Sequence, residues 1–448
     1  MGGRCLGAPG VKAQATLYRY PEAARMDIDA RLPEFAAAGA REHAVAPYVL
    51  VAGISAITFF GVLAFGATEQ WAVVSIEMGC AFLLLYWMWS ATASRDLELQ
   101  WNAVYVPVAL FGLIVAVQIV AGRSAYVHAT RVELWKYAAY GSLLLVANQF
   151  GRNATEKLLK ILTAFGTLVA IFALAQYLTY NGSIYWTWPA LPTSFGPYVD
   201  HSHYAGLMEL LTPIAFALVF SRKMKRYEQV TWMMGGMLMA ATIFLSGSRG
   251  GMTAFTVQML FFAGLLVFRT SRRMLLPVAA TIAAIAAFVL WVDDGRVLTQ
   301  VAGFREPLSN VALISRYDIA KDLPRMWRDR PLLGWGLGTF PIVYPQYKSY
   351  PTDLVVNQAH NDYLQALVET GIAGFACVAW FIGILYRSAV KNLRAGFEAT
   401  TNRVLGPVVG CTGILVHSLF DFNLHIPANA AMFFVLCGIA TQRAISEY

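Results

Sequence analysis

Apolar residues in this 448-residue chain fall into long runs divided by short polar breaks, and the runs set the architecture. Twelve of them come near the roughly 20 residues an α-helix needs to cross a hydrocarbon core. They lie at about 47–66, 72–93, 103–121, 132–149, 158–180, 203–221, 229–248, 251–268, 274–292, 363–386, 404–420 and 429–445. The pattern predicts an all-α polytopic membrane protein of about twelve transmembrane helices with one large, partly helical periplasmic loop. Residues 1–46 are polar, carry both charge signs and lack the order of a signal peptide, so they read as a cytoplasmic tail. Residues 47–448 read as one membrane domain that contains the loop, at about 293–362, and no internal repeat.

Inside the loop the period changes. From Ser315 to Arg330, apolar Ile319, Leu323, Met326 and Trp327 recur at helical spacing among charges, and Pro331 ends the segment. This predicts an amphipathic helix lying in the plane of the membrane interface. PLLGWGLGTF, residues 331–340, lacks the Lys-Ser/Thr of a phosphate-binding loop and misses the GxGxxG register. It reads as a tight turn packed against the membrane domain.

Composition agrees with the pattern: 58% of residues are hydrophobic and 13% charged, where a soluble domain carries about 25% charged. In so apolar a chain the net charge of +8 sets topology, and no nucleic-acid partner is expected. Arg222, Lys223, Lys225 and Arg226, then Arg269, Arg272 and Arg273, then Arg387, Lys391, Arg394 and Arg403 follow the sixth, eighth and tenth runs. All fall on one side, which is therefore cytoplasmic. The loop at 293–362 is basic yet external, because long loops cross largely regardless of charge. The five cysteines show no paired spacing, so neither a disulfide framework nor a zinc site is indicated.

This topology gathers His128, His201, His203, His360, His417 and His425 at or near the outer face and leaves His43 in the tail. NQAHNDYLQALVETGIAG, residues 357–374, passes from polar to apolar and puts His360 at the water line, with Asn361 beside it. An imidazole titrates near pH 6.5, about where a general base is useful. Arg249 sits in LSGSRGGM, where glycine N–H groups at a helix start make an anion site, and Arg316 is a second candidate anion ligand. His201 and His203, two apart, lack a third metal ligand. No metal or cofactor is expected, and His203 reads as a cap or substrate contact. His417 and Asp421, four apart, are expected to pair on one helix face. Glu369 would be costly facing lipid and is expected to hydrogen-bond inside the bundle. Trp186, Trp188, Tyr198 and Tyr363 fit an interfacial belt and are the aromatics at hand to stack on a substrate.

Three features in order carry a resemblance: the arginine of SGSRGG, the loop segment SRYDIAKDLPRMWRDRPLLGWGLGTF, and HNDYLQALVETGIAG entering the next span. They resemble the O-antigen ligase family, in the superfamily shared with O-antigen polymerases and bacterial O-oligosaccharyltransferases. The resemblance covers roughly residues 200–425, and FGATEQWA at 65–72 also looks like the first loop of such proteins. It implies a polyprenyl-diphosphate-linked glycan donor, a lipid A core or other glycan acceptor, and a bacterial inner-membrane location with the site facing the periplasm. It also implies His360 as the catalytic base and Arg249 and Arg316 as pyrophosphate ligands; His203, Asn361 and Glu369 are expected, from their own positions, to support them. Polymerisation of glycan chains and transfer to protein are the alternatives within that chemistry. A lipid-linked glycan transporter would instead predict inverted repeats and midplane charges, and a lipid-binding sensor would leave His360 dispensable.

Overall fold

The structure is a computed structural model that describes residues 46–93, 99–219, 224–269, 275–292, 311–351, 355–394 and 398–442. Residues 1–45 of the tail, 293–310 of the loop, and Arg222, Lys223, Arg272 and Arg273 of the basic clusters lie outside the described residues.

Each of the twelve apolar runs is helical. In chain order they are α1 (Ala46–Leu63), α2 (Gln70–Ala93), α3 (Tyr105–Val120), α4 (Val127–Asn148), α5 (Arg152–Leu178), α6 (His201–Val219), α7 (Arg226–Leu245), α8 (Arg249–Arg269) and α9 (Leu275–Val292). The loop contributes α10 (Val311–Asp329), and α11 (Asp362–Arg394), α12 (Glu398–His417) and α13 (Pro427–Ala440) follow. Among the described residues α1, α2, α5, α6 and α11 are long and apolar enough to cross a membrane, while Tyr105–Val120, Ile282–Val292, Arg403–His417 and Pro427–Ala440 are shorter apolar helices. The chain is an all-α membrane protein. Its one departure among the described residues is a two-stranded antiparallel ribbon, β1 (Ser183–Ile184) with β2 (Trp188–Pro189), which the apolar pattern does not signal.

The bundle is built around α6, of whose apolar window 94% is buried inside the protein, against 28% for α2. Glycines on α12 let it press against α6. A Cβ on Gly410 would stand 2.5 Å from the Leu210 carbonyl oxygen, and one on Gly406 would stand 2.7 Å from the Ile214 Cα. Small residues four apart are a common helix–helix seam in lipid, where close backbone approach replaces hydrophobic burial as the driving force. Polar side chains close one end of the bundle: Asn148 Nδ2 donates to the Gly438 carbonyl at 2.8 Å, and Asn102 Nδ2 donates to the Thr441 carbonyl at 2.6 Å. The other end carries the histidines.

The loop folds onto that second end. The α10 stripe of Ile319, Leu323 and Met326 is buried with Phe340, Val343, Tyr344 and Val368. This corrects the expectation of a helix lying in the membrane interface: loop residues and the first turns of α11 already cover the apolar face. The glycine-rich segment pairs with α11 through its backbone. Trp335 N donates to the Val368 carbonyl at 3.0 Å, Gly336 N to the Glu369 carbonyl at 2.9 Å, and Ile372 N to the Pro331 carbonyl at 2.8 Å. Helix α11 breaks at Gly371, whose φ of 63° suits glycine and where a Cβ would stand 2.3 Å from the Leu332 carbonyl oxygen.

Candidate active site

The start of α11 is fastened to the connection between α12 and α13. Asn361 caps the helix, its Oδ1 accepting from Leu364 N at 2.9 Å, while its Nδ2 donates to the Leu419 carbonyl at 3.0 Å. Asp362 accepts from Ser418 Oγ at 2.6 Å and Leu424 N at 3.2 Å, and its Oδ1 lies 2.7 Å from His425 Nδ1. Residue 360 therefore has fixed neighbours on both sides. Its φ is 50°, a left-handed conformation that costs a non-glycine residue on the order of 1–3 kcal/mol and persists only where surrounding contacts impose it.

That backbone aims His360 at a carboxylate. His360 Nδ1 lies 3.3 Å from Asp421 Oδ1, and Arg316 Nη2 lies 3.5 Å from Asp421 Oδ2. Asp421 is 4% exposed, whereas His360 and Arg316 are 30% and 34% exposed. Burial alone would push the Asp421 carboxyl up, but the His360 hydrogen bond and the Arg316 guanidinium outweigh it and hold the group well below the usual carboxylate range. The Phe422 ring packs edge-on against both His360 and His203, at centroid distances of 5.0 and 4.8 Å.

The SGSRGG turn packs against the end of α12, which leads into Asp421. Arg249 is half-buried and opens α8. A Cβ on the next residue, Gly250, would stand 2.9 Å from His417 Nε2, and His417 lies one turn before Asp421. His201 Nδ1 lies 2.9 Å from the Ser246 carbonyl, and Ser248 Oγ donates to Ser202 Oγ at 3.2 Å, joining the start of α6 to the same turn. Four element ends thus meet here: the starts of α6, α8 and α11 and the end of α12.

Several expectations change. His203 is not a cap, since Asp200 Oδ1 accepts from Ser202 N at 2.7 Å and fills that place. The His203 ring is buried instead, with no hydrogen-bond partner on either nitrogen among the described residues. His417 does not pair with Asp421. Helix α12 ends at His417, the chain turns, and His417 Nδ1 meets Glu209 Oε1 of α6 at 2.9 Å. Glu369 does hydrogen-bond inside the protein, accepting from Gln365 Nε2 of its own helix at 3.4 Å and more closely from loop backbone, Gly338 N at 2.9 Å and Phe340 N at 3.0 Å. Tyr198 is fully buried and donates to Asn429 Oδ1 at 2.8 Å, so it is closed to sugars, whereas Trp186 and Trp188 are exposed. Asp421 is a partner of His360 that the apolar pattern does not disclose. A carboxylate at a span end is costly without a cation, and that cost was the available signal.

The fold and this end cluster define a helical membrane protein with a partly exposed polar cluster where its loop meets the bundle. Residues 234–379, from α7 to the middle of α11, match the model of the family described as O-antigen ligase. The match takes in Arg249, Arg316, His360, Asn361 and Glu369 and stops short of Asp421. No curated protein matches the chain. The family implies glycosyl transfer of the ligase or polymerase type on lipid-linked glycans.

Proposed function

We propose that this protein transfers a glycan from a polyprenyl-diphosphate donor to an acceptor hydroxyl at the periplasmic face of the inner membrane, with lipid A core as the acceptor. The observation that carries the reading is His360 held between a solvent-reachable position and a buried carboxylate that Arg316 also engages. Asp421 fixes the imidazole with Nδ1–H toward it and leaves Nε2 to take a proton, and it stabilises the imidazolium once formed. The acceptor oxygen then attacks the anomeric carbon as its proton passes to His360 Nε2. The bond from that carbon to the diphosphate oxygen breaks, and the anomeric centre inverts. The leaving polyprenyl diphosphate carries the negative charge, which Arg249 and Arg316 compensate without a metal. Guanidinium suits this work because its planar donor fork matches phosphate oxygens. Arg316 has donors to spare beyond the one it turns to Asp421.

The test is transfer by the purified protein in nanodiscs, with polyprenyl-diphosphate glycan as donor and lipid A core as acceptor. We expect His360→Ala to insert and fold but to lose turnover, and full transfer by that variant would refute the reading. Replacing the acceptor with a second lipid-linked glycan separates ligase from polymerase: product formed only with lipid A core supports ligation.

A further inference from the structure

The left-handed backbone at His360 needs a grip on each side. On the C-terminal side the cap at Asn361 and the bonds of Asp362 supply it. On the N-terminal side the grip is the side chain of Gln365, which is 1% exposed. Its Oε1 accepts from Ala359 N at 2.8 Å, and its Nε2 donates to Gln358 Oε1. Gln365 stands in the first turn of α11, where its own N donates to the Asn361 carbonyl at 3.0 Å. The helix thus reaches back over its own start and holds the two residues that precede the histidine.

A backbone N–H can only donate, so Ala359 fixes which way the Gln365 amide faces. Its Nε2 is thereby turned toward His425, whose Nε2 lies 3.1 Å away. An amide nitrogen donates and does not accept, so His425 Nε2 is the acceptor. The proton of the neutral ring then sits on Nδ1, facing Asp362 Oδ1 at 2.7 Å. Neutral His425 completes this series of bonds, and protonated His425 breaks it. Its Nε2–H would meet the Gln365 NH2, and the amide can answer only by turning over, which sets that NH2 against Ala359 N–H. Burial works against a charge on His425, while Asp362 and Glu369 of α11 and Glu133 of α4 favour one. On the other helices packed against 423–425, Glu209 and His417 face each other and His203 faces the Phe422 ring. We propose that Gln365 and His425 are positioning residues for His360: Gln365 holds the backbone that presents the imidazole, and neutral His425 keeps the Gln365 amide turned the right way. The proposal rests on the reading of His360 as the base.

The test is the same transfer assay with the whole protein in nanodiscs. Gln365→Leu keeps the volume and removes the grip. A reacting group misplaced by about 1 Å can cost 10²-fold, and kcat should fall by about that factor with KM nearly constant. Gln365→Glu still offers an oxygen to Ala359 N and should lose no more than about tenfold. Wild-type kcat in Gln365→Leu, or equal losses in the two variants, would overturn the proposal. The pH profile separates positioning from a merely structural role. Were His360 alone required neutral, log kcat would fall on the acid side with a slope of about one, and with His425 required neutral as well the slope approaches about two. Wild type should show the steeper limb. His425→Gln and Gln365→Leu should both show the shallower one, because each cuts the connection between His425 and Ala359. A wild-type slope of about one, unaltered in His425→Gln, would overturn the proposal even where Gln365→Leu does not fold. Lost turnover in His360→Ala beside wild-type turnover in Gln365→Leu fails the positioning alone. Normal turnover in His360→Ala fails the base assignment and the positioning with it.

Discussion

Two of the histidine–carboxylate pairs at one end of the bundle are built for different work. His417 and Glu209 are both fully inaccessible and face each other one to one, at 2.9 Å, between α12 and α6. His360 and Asp421 stand at 3.3 Å, but the histidine is 30% exposed and the carboxylate is shared with Arg316. The same two side-chain types serve as a clasp where both are sealed. Where the imidazole is open and the acid is anchored by a cation, the arrangement suits the base proposed above. Burial and the third partner, rather than the pair itself, separate structure from chemistry.

Exchanging the roles should break this contrast most visibly. His360→Ala removes the base, and a positioned base contributes about 10²–10⁴-fold, so turnover should fall by that range with unfolding unchanged. His417→Ala should do the reverse. It strands Glu209 in the core, which costs about 3–5 kcal/mol, seen as a lowered unfolding temperature in detergent, while turnover per folded molecule changes little. Equal activity losses in the two variants would dissolve the distinction.

Asp421→Asn tests the anchor. It keeps the shape but removes the charge that orients His360, and turnover should drop on the order of 10²-fold with KM nearly constant. Arg249→Lys keeps a charge but loses the planar fork, and a fall of about tenfold in kcat/KM is expected. The smallest effect concerns a third pair. Burial opposes the charged form of His425, yet its hydrogen bond and proximity to Asp362 prevail and raise its pKa. A group raised in the folded state stabilises fully below its unfolded value of about 6.5 and loses that contribution as pH rises through the folded value. Unfolding temperature should therefore decline modestly on the alkaline side, and His425→Gln should flatten that decline.

Helix positions were legible in the sequence because length and apolarity are local properties, and all twelve runs became helices. His360 was legible for the same reason, as a polar residue at the mouth of an apolar run. Asp421 was not, because its partners arrive from α11 and α10, 61 and 105 residues away. The expectation that His417 and Asp421 would pair assumed that α12 continued past 417, and a helix end is what a hydropathy pattern locates least well. The amphipathic stripe of α10 was read correctly as a stripe and assigned the wrong cover, since a period reveals that a face is apolar but not whether lipid or protein meets it. Gly406 and Gly410 stand in the sequence as small residues four apart, but only α6 lying opposite makes them a seam.

The break at Gly371 divides the long α11 by allegiance. Its opening turns exchange backbone hydrogen bonds with 331–340 and share their apolar cluster with α10, while the remainder packs in the bundle. For anyone recombining such proteins, the natural cassette accordingly ends at residue 371 and not at the start of α11 near 362. Grafting a foreign loop up to 356 would sever a joint that the protein treats as continuous, whereas a graft carried through the glycine would bring its own socket along.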